Sequence, residues 1–208
     1  MKNIIIIFTL LIVGDTIIAQ DAFTEGMKKG LHLWSEGKVM EASALFERIS
    51  LAEKDNWIPC YYAAQTLITE SFKNGEPSRK NEILEKAKAF VDTAHERSPN
   101  NSEITTLEGL LYTGYVAMDP ATYGMKYSQK IMELHQRAIA LDNENPRAHA
   151  NLIEYEMGSA KFFNQDQAPL CGKMEKVLPL FESQTTEVPF APSYGKERVE
   201  EVIKNCGL

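Results

Sequence analysis

The sequence is poor in the signatures that usually announce chemistry. It has no G-x-S-x-G elbow, no G-x-x-x-x-G-K-[ST] phosphate loop and no H-E-x-x-H pair, which removes the standard routes to a nucleophile, a nucleotide and a catalytic zinc. Its four histidines, His32, His95, His135 and His149, are scattered without Cys/His spacing, so no metal site is expected. Basic clusters are missing as well. With 22 Lys+Arg against 29 Asp+Glu the formal net charge is −7, which argues against nucleic acid and anionic lipid as partners. Carboxylate runs such as "EGKVMEAS" and "ERVEEVIK" have the composition of solvated helix faces. No cofactor is expected, and the chain is not expected to be an enzyme.

One long apolar run is present, and it is short for a membrane span. Ile4 to Val13 follows Lys2 and ends at Gly14–Asp15–Thr16, whereas a spanning helix needs about 20 residues. A basic start, an apolar middle and small Ala19 have the form of a signal peptide cleaved after residue 19, although Ile17 is larger than the usual residue at that place. Residues 20–208 then form the mature domain, periplasmic or secreted, with no membrane span after cleavage. Loss of Lys2 and Asp15 cancels, so the mature charge stays at −7.

Beyond residue 20 the apolar period is near 3.6, and β-branched alternation is scarce, so the chain is all-α. "SPNN" at Ser98–Asn101 and "LDNENP" at Leu141–Pro146 mark helix ends. One spacing recurs. Ala42, Phe46 and Ile49 stand at offsets 0, 4 and 7; Ala87, Val91 and Ala94 repeat them, and Ile131, His135 and Ala138 do so more loosely. Gly30 lies twelve residues before Ala42, Gly109 and Tyr112 hold a G-x-x-Y spacing, and "NPRAHANL" opens a further unit. Small residues at fixed places let helix backbones approach at the short end of the usual 8–10 Å range.

These residues resemble the G-x-x-Y…A-x-x-x-F…P pattern of the tetratricopeptide repeat (TPR) family, and the looser pattern is similar to that of small exported TPR proteins of Gram-negative bacteria. The resemblance implies a helix–turn–helix solenoid of about four units, near residues 23–56, 57–101, 102–145 and 146–183. A polar-faced cap helix over about 194–206, with Val199, Val202 and Ile203 on one side, follows the proline-bearing link "TTEVPFAPSYG". His135 then stands at the Phe position of unit three, and His149 where the pattern usually has Trp.

In TPR arrays the first helix of each unit lines the concave face. The resemblance therefore implies a groove of Met27, Leu31 and Trp34, then Tyr61, Gln65 and Ile68, then Thr106, Leu110 and Thr113, then Arg147, Ala150 and Glu154. Such a groove takes a peptide or protein segment; this one differs from the carboxylate-clamp type, which is rich in Lys, Asn and Arg. The expected function is thus a non-catalytic interaction or scaffold module with a protein or peptide partner. The alternative is a small-ligand or glycan binder using a second surface. Intra-unit connections are expected to be long loops at Lys73–Lys80, Met118–Tyr127 and Phe162–Ala168, sharing one edge and carrying Met118, Tyr123, Met125, Tyr127, Phe162 and Phe163. Aromatic and Met side chains favour interfaces, and they also serve to cover an apolar edge. Of the three cysteines, Cys171 and Cys206 are placed to tie the cap to the last unit. Cys171–Cys60 pairing and three free thiols are the other possibilities, and Cys60 sits among apolar neighbours.

Overall fold

The computed structural model describes residues 21–73 and 75–206; the signal-peptide expectation falls outside them. Ten helices follow one another among the described residues: α1 (21–35), α2 (Val39–Ala52), α3 (Ile58–Ser71), α4 (Pro77–Arg97), α5 (Ser102–Met118), α6 (Pro120–Leu141), α7 (Pro146–Phe162), α8 (Ala168–Glu175), α9 (Leu178–Ser183) and α10 (Lys196–Asn205). No described helix is long and apolar enough to cross a membrane. The architecture is an all-α, TPR-like stack of helix–turn–helix pairs, with neighbouring helices packed in chain order from α2 to α7.

Local chemistry starts these helices. Asn101 accepts hydrogen bonds from the Glu103 and Ile104 amides at the head of α5, and Asn145 does the same for Arg147 and Ala148 at the head of α7. Proline occupies the first turn of α3, α4, α6, α7, α8 and α9, where its missing N–H is not needed.

Proline also explains a correction. Of the three expected long loops, the one at Phe162–Ala168 is present as 163–167, the one at Lys73–Lys80 is shortened and shifted to 72–76, and the one at Met118–Tyr127 does not exist, since α5 and α6 are separated by Asp119 alone. Asp119 accepts from the Thr122 amide and Pro120 opens α6, so a dipeptide with the look of a break is a cap followed by a first helical residue. Met118 ends α5, and Tyr123, Met125 and Tyr127 lie in the first turns of α6. The extra residues of these units lengthen their second helices, to 21 residues in α4 and 22 in α6.

The small residues have the expected purpose. Ala42, Ala87, Ala94 and Ala138 are fully buried, and Ser43 on α2 reaches the Ala63 carbonyl of α3 at 3.2 Å. A Cβ on Gly30 would stand 2.4 Å from the Phe46 ring, and one on Gly109 2.5 Å from the His135 ring. The two glycines therefore make equivalent close contacts in units one and three.

His135 is the odd member of that pair. It is fully buried, and neither ring nitrogen has a hydrogen-bond partner. Burial without a partner pushes its pKa down from 6.5 to about 4. The unfolded chain binds a proton there below pH 6.5 and the folded chain does not until about pH 4, so stability is full above pH 6.5 and falls as the pH drops through that window. The loss reaches about 3 kcal/mol. His135→Phe, which copies the Phe46–Gly30 contact of unit one, is expected to lose that much less between about pH 7 and pH 4 in urea unfolding. Equal losses in the two proteins would contradict the assignment.

Candidate functional site

The first helices of the pairs and the C-terminal segment border a half-open cavity of about 600 Å³ on the concave side. Trp34 of α1, Tyr61, Gln65 and Thr69 of α3, Phe72 just after α3, and Thr106, Leu107, Leu110 and Thr113 of α5 form one side. Arg147, Ala150, Asn151, Glu154 and Tyr155 of α7 form the next. Phe181, Tyr194, Gly195, Arg198 and Val199 complete the wall. The cavity therefore lies between two apolar cores, one running from α1 to α6 and the other holding α7, α8 and α10.

The segment between α9 and α10 is what bounds it. Phe190 meets Phe23 of α1 edge to face at 5.6 Å. Tyr194 meets Trp34 edge to face at 5.8 Å, and the Tyr194 and Tyr61 hydroxyls are hydrogen-bonded to each other. Burial holds both phenols well above their ordinary pKa, so both keep their protons. Gly195 sits at φ +112, where a Cβ would stand 3.2 Å from the Phe181 ring; glycine tolerates that backbone without strain.

Arg147 ties this segment to the stack. Its Nε and Nη2 donate to the Glu103 carboxylate at 2.6–3.1 Å, and its Nη1 donates to Gln184 Oε1 and the Tyr194 carbonyl, each at 3.1 Å. The side chain is 4% exposed. Arg147 is therefore committed to the protein itself. Arg198 is 56% exposed, holds Glu154 through Nε and Nη2, and reaches Glu201 through Nη1. The Thr106 hydroxyl is buried with no partner.

Of the residues expected in the groove, Trp34, Tyr61, Gln65, Thr106, Leu110, Thr113, Arg147, Ala150 and Glu154 come together around the cavity. Three do not. Met27 and Ile68 are fully buried in the core, and Leu31 packs half-buried against it. α3 lies between α2, α4 and α5, so Ile68 is covered although it follows the groove-lining Gln65 by three places. Phe190 packs edge to face on Phe23, one turn before Met27 on α1. Phe72, Tyr155, Phe181, Tyr194 and Val199 are lining residues that periodicity alone did not nominate. The signal for Tyr194 lay in the aromatic pair Phe190/Tyr194 inside a non-helical link.

The other expected surface is divided. Tyr123 and Tyr127 stack on each other and lean on Tyr112 and Tyr115, with the Lys126 ammonium 4.9 Å from the Tyr127 ring centre. Met118 is partly buried against the main core. Met125, Phe162 and Phe163 are exposed, at 99%, 68% and 67%. Cys171 and Cys206 form a disulfide with Cα atoms 6.0 Å apart, and Cys60 is free and buried. No group of three or more His, Cys, Asp or Glu placed to hold a metal occurs among the described residues.

No family model matches the chain, and no curated protein matches it. Among solved structures it is similar to the HusA haemophore from Porphyromonas gingivalis, with a TM-score of 0.76 and 20% identity over 88% of this chain and 92% of that one. It also aligns with MamA (41-end) from Desulfovibrio magneticus RS-1, at TM-score 0.49 and 18% identity over 77% and 76% of the two chains. A thermophilic TPR protein of Thermus thermophilus, TTC0263, aligns at TM-score 0.41 and 14% identity over 88% and 98%. Of these three, the first is near enough to speak to the fold, and at 20% identity it speaks to the fold alone.

Proposed function

We propose that this chain is an exported, non-catalytic binding protein that carries a flat, largely apolar small molecule of the tetrapyrrole class in its concave cavity. The observation that supports this most is the narrowing of the groove to a half-open cavity by the protein's own C-terminal segment. Tyr194 and Gly195 line the groove beside Trp34 and Tyr61 and so narrow the trough that an extended peptide would use. What is left has the volume and the mostly apolar, partly aromatic wall of a small-molecule site. HusA is a haemophore, and a porphyrin is flat, apolar and aromatic. The described lining includes no His, Cys or Met, and two of its three tyrosines, Tyr61 and Tyr194, are hydrogen-bonded to each other; a tyrosine oxygen can ligate haem iron, which leaves Tyr155 as the lining phenol for that role beside the ring contacts. The unpartnered Thr106 hydroxyl adds one donor. A disulfide and the signal-like N-terminus favour export.

Absorbance titration of residues 20–208 with haem and with metal-free protoporphyrin IX tests the reading. Both are expected to bind saturably at one site per chain. Leu110→Lys puts a charge on the half-buried cavity wall and is expected to weaken both by at least about tenfold, a cost of some 1.4 kcal/mol, with the melting temperature little changed. No saturable binding, or equal binding by the variant, would sink the proposal.

One observation favours a second reading, docking of a protein partner: the exposed Phe162 and Phe163 rings stand edge to face at 5.1 Å at the end of α7.

A further inference from the structure

The cavity has two cations on its wall, and they are spent differently. Arg147 is buried, and all three of its nitrogens are held by Glu103, Gln184 and the Tyr194 carbonyl. Releasing it would untie the segment that makes the cavity. Arg198 is on α10, half in solvent. Glu154, at 28% exposure, grips its Nε and Nη2 at 2.9–3.3 Å and so fixes the plane of the guanidinium. Its Nη1 is occupied only by Glu201, three residues on along the same exposed helix face, at 3.0 Å and 60% exposure. An exposed ion pair of that kind contributes little and gives way readily. Glu201 is not part of the cavity wall; Arg198 and Glu154 are, and both also border a second, more polar cleft beside the disulfide.

Building on the cavity-binding reading, we propose that Arg198 is the specificity-determining cation of the site. It takes a carboxylate at the edge of an otherwise apolar ligand, with Glu154 as the residue that positions it. The ligand acid replaces Glu201 on Nη1, while the apolar body lies against Leu110, Tyr155 and Val199. The ligand class is thereby narrowed to a tetrapyrrole that keeps at least one free carboxylate side chain. That polar end lies toward the second cleft and water, and the ring system lies in the cavity.

The test compares protoporphyrin IX with its dimethyl ester, in wild type, Arg198→Met and Glu201→Gln, and reads the ratio of the two dissociation constants within each protein. A loss common to both probes, from altered folding or packing, leaves that ratio unchanged. Wild type is expected to prefer the diacid by about tenfold, the worth of one charge-assisted hydrogen-bonded contact. Arg198→Met is expected to bring the ratio to about one. Glu201→Gln, which removes the competitor, is expected to raise it above the wild-type value. A wild-type ratio near one, or a preference retained by Arg198→Met, overturns the assignment and leaves cavity binding standing. Should Arg198→Met bind neither probe, an unchanged ratio in Glu201→Gln overturns it. If neither probe binds wild type, the cavity reading itself falls, and this one with it.

Discussion

Arg147→Ala is expected to lower the free energy of unfolding by about 3–5 kcal/mol, the range seen when one partner of a buried ion pair is removed. The loss has two parts. Glu103, 15% exposed, is left without the guanidinium that satisfied its carboxylate. The Tyr194 carbonyl and the Gln184 side chain lose their donor as well, which loosens the segment closing the cavity. Urea unfolding followed by far-UV circular dichroism measures the first effect. Arg147→Lys keeps the charge but not the planar fork, so it is expected to recover only part of the stability. A loss below about 1 kcal/mol in Arg147→Ala, the worth of an exposed pair, would show that the pair and its tether are not structural.

The second large effect concerns the disulfide. Cys171 and Cys206 are 35 residues apart in sequence, and closing a loop of that length stabilises by about 3–4 kcal/mol in the chain-entropy account. α10 makes its main backbone contacts with α8 and α9, two short helices, and is tied to α7 by side chains alone, through the Arg198–Glu154 pair and the packing of Val199 and Val202. The Cys171→Ala, Cys206→Ala double variant is expected to lose about that much stability. Its first unfolding step should be release of α10, seen as amide exchange across 196–205 well ahead of α3. Ligand affinity should fall with it, because Arg198 and Val199 are on that helix. Global two-state unfolding with α10 as protected as α3 would contradict this.

The repeat itself was legible because it is written in local periodicity. Ala42, Phe46 and Ile49 must share a helix face, and the same spacing at Ala87 and Ile131 calls for the same packing. Pro120 misled for a physical reason: proline ends a helix from inside but begins one at its first position, and Asp119 decides between these only through a hydrogen bond. The groove was half legible. Faces of α5 and α7 follow from period, and Thr106, Leu110, Arg147 and Glu154 do line the cavity. Met27 and Ile68 failed because burial depends on what lies across from a face, and period carries no information about that. The closing segment left the weakest trace. Its key contact joins Tyr61 to Tyr194 across 133 residues, from a stretch with no period at all. That contact narrows the groove to the half-open cavity.

The most direct measurement of binding in that cavity is a methyl NMR spectrum of residues 20–208 with and without metal-free protoporphyrin IX, whose ring current shifts only nearby methyl groups. The account predicts large shifts for Leu110 on α5 and Val199 on α10, the two walls of the cavity, with the exposed Met125 methyl unmoved. Shifts at Met125 with Leu110 and Val199 unmoved would place the ligand outside the cavity and contradict the account.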